Sequence, residues 1–470
     1  MSSVAPLEKT AVPPAEGTVP GSRVRRAFQS HWGAGFAGVI IYEVVEYARL
    51  PAMYPILGPL QLGKIGIIIA LVGLLYSPPE TKTLVQSSWR RIAEVSLLAF
   101  FGAGVLSGLF APDTEAAVAC ILLIINWLVI YFAVSRSVST PWRLRAFIFV
   151  YLLFSLKMGQ FVVRSYHGAM ANSPRSQMSL MTEGFGAGAT GFFGNAADLG
   201  VAMCVAWPIA MSLLFSDVKG WKRFALLVCT LVFLGAIMFC GSRGAIVGAT
   251  GVTIAAWLRS PKKLIAVFLL LLLVPAVIFV MPEATKRRMN SGLLDPERDR
   301  TASQRLELWR AGVQMYKENP ILGVGPLNFG AVYGARFNRG ERLSERVSWV
   351  PHSTYIEAIS EWGTFGCIFL VLIALAIFRI NAMTRKSILA AQGKAGKSSF
   401  EFCLATGLEL GFIGYLVSGA FVAVLLYPHI FILLSLSAGL NSSVLSRKGA
   451  PAPGPEPPKR RFAPALGVAG

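Results

Sequence analysis

Four histidines occur in 470 residues, and one of them, His352, heads the stretch PHSTYIEAISEWGTFG, immediately before an apolar run. The positive end of a helix disfavours imidazolium, so a histidine at a helix start tends to stay neutral. A neutral ring can take a proton from a hydroxyl. Two arginines hold comparable places. In FCGSRGAIVGA, Ser242 fits an N-cap and puts Arg243 at the opening of a membrane helix. Freed N–H groups, the helix dipole and a forked guanidinium there all suit a phosphate. In TASQRLELWRAGVQMYKENP, Arg305 falls in the first turn of an amphipathic helix. Thr301 with Gln304 would form its capping box, and Asn319-Pro320 its end. Leu306, Trp309, Val313 and Tyr316 mark its apolar face at helical spacing. Two grips for a diphosphate and one base are the chemistry on offer. Plainer roles fit as well: an arginine snorkelling to an interface, a histidine in a structural hydrogen bond. Spacing alone does not bring the three together.

The elements that must position them are membrane helices. Hydrophobic residues make up 54% of the chain and charged residues 14%, with mean hydropathy +0.59. A soluble protein carries about 25% charged residues. Long apolar runs recur from end to end, so the fold expected is an all-α polytopic membrane protein. A β-barrel would show short alternating segments instead. Twelve apolar segments fall near 33–48, 59–76, 92–110, 116–134, 143–163, 194–216, 222–240, 243–258, 262–281, 352–378, 403–424 and 427–445. The first is the weakest, being short and holding Glu43 and Glu46.

Orientation follows from the basic residues. With a cytoplasmic N-terminus, the loops assigned to the cytoplasm carry clusters such as Arg90 and Arg91, Arg143 and Arg145, Lys219 and Lys222, and Arg385 and Lys386. Loop 111–115, APDTE, falls on the far side and is acidic. The net charge of +20 is therefore a sign of cytoplasmic loops and not of nucleic-acid binding. The domain division expected is a polar cytoplasmic tail (1–32), nine spans (33–281), one large periplasmic loop (282–351), three spans (352–445) and a Pro-rich cytoplasmic tail (446–470). On that topology Arg243, Arg305 and His352 share the outer face. The loop carries a net +4 charge, which suits an anionic ligand. Six scattered cysteines without metal-binding spacing read as small core residues.

The ordered set GSRGAIVGA, RLELWRAGVQMYKENPILGVGPLNF and HSTYIEAISEWGTFG resembles the signature of the bacterial O-antigen ligase and polysaccharide polymerase superfamily. GFFGNAADLGVAMCVAWPIAM is similar to a further family segment, but has Ala197-Asp198 where Pro-Asn is usual, which leaves Asn195 without an assigned role. The resemblance implies a GT-C-like membrane glycosyltransferase at the periplasmic face of the bacterial inner membrane, with no cofactor and no metal. Its donor would be a glycan on undecaprenyl diphosphate. Arg243 and Arg305 match the diphosphate-binding arginines, and His352 matches the histidine that activates the acceptor hydroxyl. Arg310, Tyr355, Glu357 and Glu361 take supporting or packing roles. The shared motifs handle the donor, so the acceptor stays open. A polymerase of exopolysaccharide or O-antigen, working with a chain-length regulator, is placed first. A ligase to lipid A-core is second, and a protein O-oligosaccharyltransferase third. A transporter of lipid-linked glycan is the competing class, for which broken helices and internal symmetry are the expected signs, and the sequence shows neither.

Overall fold

The computed structural model describes residues 33–48, 54–76, 87–172, 196–260, 300–337 and 349–448, with Lys263 and Lys286. Among these the chain is helical throughout. In order the helices are α1 (Ala34–Ala48), α2 (Leu62–Leu75), α3 (Ser88–Gly108), α4 (Thr114–Ser137), α5 (Pro141–Asn172), α6 (Ala196–Leu214) and α7 (Trp221–Phe239). They continue as α8 (Arg243–Arg259), α9 (Arg300–Glu318), α10 (Phe329–Arg336), α11 (Thr354–Gln392), α12 (Phe400–Gly419) and α13 (His429–Lys448).

Eight of the described helices are long and apolar enough to cross a membrane: α3 to α7 and α11 to α13. Eleven of the twelve expected segments coincide with a helix. The remaining one, 262–281, lies outside the described residues apart from Lys263, as do the N-terminal tail and Asn195. Three coincident helices fall short of a full span. α8 has 17 residues, α1 has 15 and α2 has 14, against the roughly 20 that a bilayer needs. α1 and α2 compensate by packing backbone on backbone. A Cβ on Gly38 would lie 2.3 Å from the amide nitrogen of Ala70, and one on Gly73 2.1 Å from that of Gly35. Small residues at this spacing let helices approach closely where lipid supplies no hydrophobic drive between them.

Two ends of the bundle can be told apart by their bonds. At one end, the backbone N–H of Asp113 donates to the Asn328 side chain at 2.7 Å, and that side chain donates back to the Asp113 carbonyl at 3.0 Å. Loop 111–115 therefore sits with the α9–α10 region, as the charge pattern expects. At the other end, the Asp217 N–H donates to the Ser398 carbonyl at 2.7 Å, and Arg145 pairs with Glu401 at 3.6 Å. Arg385 and Arg259 both pair with Glu409 there. Arg90, fully buried, bonds Glu94 and Ser442.

Candidate active site at one end of the bundle

α9 is amphipathic, as expected, but its buried face is turned from the expected one. Leu308, Ala311 and Met315 are buried with Val324, Phe329, Val332 and Tyr333 in a small core of their own. Leu306 is exposed. The contact is built on small residues: a Cβ on Gly312 would meet Ile356 at 2.4 Å. Arg300 is already helical, so Thr301 lies within the helix and is not its cap. Nothing in Arg-Thr-Ala-Ser-Gln breaks a helix, so the first turn can form upstream of Thr301.

The Pro320–Asn328 turn then wraps the first part of α11. The Val324 and Gly325 N–H groups donate to the carbonyls of Ser360 and Glu361, and the Thr364 and Phe365 N–H groups to those of Pro320 and Ile321. This exchange requires a break in α11. Gly363 supplies it with φ 59°, and a Cβ there would lie 2.4 Å from the Ile321 oxygen. The expected continuous helix from 352 is thus two pieces joined at Gly363. Trp362, fully buried beside the break, stacks on Phe100 of α3 at 4.1 Å.

Polar residues of HSTYIEAISE are used by neighbouring backbone. Ser353 caps α11 by accepting from the Ile356 N–H. The Thr354 hydroxyl donates to the Val422 carbonyl at 2.8 Å and accepts from the Val424 N–H at 3.1 Å. Glu357 accepts from the Leu425 N–H at 3.3 Å. Glu361 accepts from the N–H groups of Leu327 and Phe329, at 2.9 and 3.1 Å, and so closes the start of α10. The Tyr355 hydroxyl donates to the Leu416 carbonyl at 2.7 Å. These three expected supporting residues hold the scaffold. Arg310 stands exposed on α9.

His352 has φ 49°, a left-handed conformation uncommon for a residue with a side chain. It is held there from both sides. On one, Ser353 and Thr354 anchor the chain to α11 and to the 420–428 turn. On the other, the Trp309 indole N–H donates to the Pro351 carbonyl at 2.9 Å. Arg305 lies one turn before Trp309 on the same face of α9. Its charge reaches the imidazole. Although His352 is exposed, the protein around it lowers its pKa first, and the Arg305 guanidinium lowers it further. Arg305 and His352 thus stand on two segments tied by the Trp309–Pro351 bond.

The start of α8, which carries Arg243, reaches the same turn through a different contact. Ser242 caps α8 by accepting from the Ala245 N–H at 3.3 Å, as the sequence leads one to expect, and Arg243 is the first helical residue. A Cβ on Gly244 would meet Phe421 at 3.0 Å. Val422, the next residue, is the one bonded to Thr354. The starts of α8 and α11 thus flank one turn.

Asp198 was not singled out from sequence for chemistry, yet it is buried below this turn in the first turn of α6. The Tyr427 hydroxyl donates to it at 2.6 Å. Burial and the Asp198 carboxylate push the Tyr427 phenol up. A lone acid opening an apolar helix was the available signal. Asn328, fully buried, was also missed, because its partner lies far off in the chain.

The starts of α8 and α9 and the turn before α11 put one imidazole and two guanidiniums at the same end of the bundle. The imidazole can accept a proton, and each guanidinium can fork onto phosphate oxygens. Known proteins match this part of the chain. The family model described as O-antigen ligase matches residues 225–371, a stretch that contains Arg243, Arg305 and His352. The exopolysaccharide production protein ExoQ of Rhizobium meliloti is 33% identical over 87 residues, which are 17% of this chain and 19% of that protein.

Proposed function

We propose that this chain, whose 225–371 segment matches the O-antigen ligase family model, is a polysaccharide polymerase. It transfers a glycan from undecaprenyl diphosphate to the hydroxyl of an acceptor glycan. The reaction runs at the periplasmic face of the inner membrane, without a metal and with inversion. The observation that carries this reading is the Trp309–Pro351 bond, because it accompanies Arg305 lying within electrostatic reach of His352.

The residues divide the work by charge. Arg243 and Arg305 hold the diphosphate and stabilise the charge that grows on it as the anomeric C–O bond breaks. His352 takes the proton of the acceptor hydroxyl, whose oxygen forms the new bond on the opposite face of the sugar. Undecaprenyl diphosphate leaves with the electron pair. The base and the leaving-group site are linked. The Arg305 charge depresses His352; a bound diphosphate would neutralise that field and make the imidazole a stronger base. The donor thereby readies the base that consumes it.

The name of the Rhizobium meliloti relative favours an exopolysaccharide product. The description of the family model favours a second reading, ligation of O-antigen to lipid A-core. Complementation separates them. Cells lacking the chromosomal copy receive wild type, Arg243→Ala, Arg305→Ala or His352→Ala at matched membrane levels. Accumulated lipid-linked precursor in all three variants supports transfer. A precursor stopped at one repeat unit indicates a polymerase, and full-length lipid-linked polymer indicates a ligase. Normal glycan from all three variants overturns the reading. Purified protein that keeps its activity in EDTA supports the metal-free step, and loss of activity restored by a divalent cation overturns that part.

A further inference from the structure

A cavity of about 880 Å³ opens between α5 and α7 at the end of the bundle opposite His352. Its origin lies in how the two helices meet. Towards the site they are in close contact: Tyr166 stacks on Phe239 at 4.8 Å, and a Cβ on Gly159 would meet Val232 at 3.2 Å. Towards the basic end they part, and the gap narrows inward as a wedge. Its walls are apolar, with Phe149, Leu153 and Leu156 of α5 facing Leu226 and Cys229 of α7. The mouth is different in kind. Arg145, Lys219 and Lys222 line it beside Trp142 and Trp221, with Asp217 as its one acid.

Lys219 and Lys222 are exposed and make no ion pair among the described residues. Arg145 is 55% exposed, and its contact with Glu401 is long, at 3.6 Å. Three cations against Asp217 and the Glu401 partner of Arg145 leave the mouth positive by one charge. Tryptophans at the mouth mark the level of lipid headgroups. An apolar slot open to the bilayer, ending in cations at headgroup depth, is complementary to a molecule with two long acyl chains and a negative head.

We propose that this wedge is a binding site for an anionic glycerophospholipid of the leaflet at the basic end. The acyl chains lie between α5 and α7, and the phosphate meets Arg145, Lys219 and Lys222. The site is separate from the His352 rim and does not depend on the proposed transfer.

Native mass spectrometry of the purified full chain tests this. Delipidated protein is titrated with phosphatidylglycerol, phosphatidylcholine, undecaprenyl phosphate or sn-glycerol 3-phosphate. Phosphatidylglycerol is expected to bind at least tenfold more tightly than phosphatidylcholine, and sn-glycerol 3-phosphate, which lacks the chains, not to be retained. Each of Arg145→Gln, Lys219→Gln and Lys222→Gln should weaken phosphatidylglycerol about fivefold. Ala225→Trp, which fills the wedge and leaves the cations in place, should lower retention of both phospholipids. Equal affinity of wild type for the two phospholipids overturns the proposal. So does undiminished phosphatidylglycerol binding by the triple Gln variant or by Ala225→Trp. Tighter binding of undecaprenyl phosphate than of phosphatidylglycerol overturns the choice of occupant.

Discussion

The two ends of the bundle use their acidic residues in opposite ways. At the basic end, carboxylates answer arginines: Glu409 takes Arg259 and Arg385, Glu401 takes Arg145, and Glu94 takes Arg90. At the other end, the buried carboxylates of α11 answer the backbone: Glu361 takes two amides of the 327–329 turn, and Glu357 one of the 420–428 turn, while the Glu318–Arg336 ion pair there lies exposed and Asp198 takes the Tyr427 hydroxyl. The difference separates two tasks. Pairing charge with charge fixes helices side by side. Pairing carboxylate with amide fixes loops, and loops carry the rim where Arg243, Arg305 and His352 stand.

The largest effect expected from breaking this contrast is at the base. His352→Ala should lower glycan transfer by about 10²–10⁴-fold, measured with lipid-linked donor in detergent, while the protein keeps its thermal midpoint. Loss of folding in step with activity would instead give His352 a structural role. Next comes Arg305→Gln, which removes a diphosphate contact and the charge that depresses His352. Turnover should fall by about 10²–10³-fold. The sign of the accompanying pH change is fixed. A depressed imidazole stays neutral to a lower pH than the ordinary value of about 6.5, so wild-type activity is lost only on acidification below that. Without Arg305 the imidazole titrates higher, and the acid limb should move towards neutrality. An unmoved limb would separate the two residues. In wild type, the acid limb of kcat should also lie at higher pH than that of kcat/KM for the donor, since donor phosphate offsets Arg305.

Scaffold changes at the same end should be smaller. Gly363→Ala forces a methyl group against the Ile321 carbonyl at positive φ. It should cost about 1–3 kcal/mol, seen as a lower thermal midpoint together with reduced turnover. Trp309→Phe removes the bond to Pro351 and should cost about 1 kcal/mol, with the acid limb shifting in the same direction as in Arg305→Gln. Glu409→Gln at the basic end should have the least effect on chemistry. Stability should fall by about 1 kcal/mol, with kcat unchanged. A kcat change there would mean that the ends are coupled.

The helices were legible because apolarity over about twenty residues is a local property, and so were the Ser242 cap that places Arg243 and a helix start after Pro351, although the Ser353 cap was not. Position along the chain said nothing of what closes the site. Glu361 and Leu327 are far enough apart that only the folded turn joins them, and Asn328 reads as an ordinary turn residue until Asp113 is beside it. The face of α9 was misjudged for a related reason. Trp309 and Tyr316 are conspicuous, but the contact runs through Ala311 and Gly312, whose smallness admits Ile356. Apolarity also cannot distinguish a short helix that spans from one that leans on glycines, as α1 and α2 do.

The bond from Trp309 to Pro351 works as a ruler. It pins one point of α9 to the His352 turn, and Arg305 stands four residues away, about 6 Å along the axis. Deleting or adding a single residue between positions 305 and 309 would swing the guanidinium by about 100° and leave every side-chain type in place. Composition would be almost unaltered, yet arginine and histidine would no longer face one another. What this segment encodes is a phase as much as a set of residues.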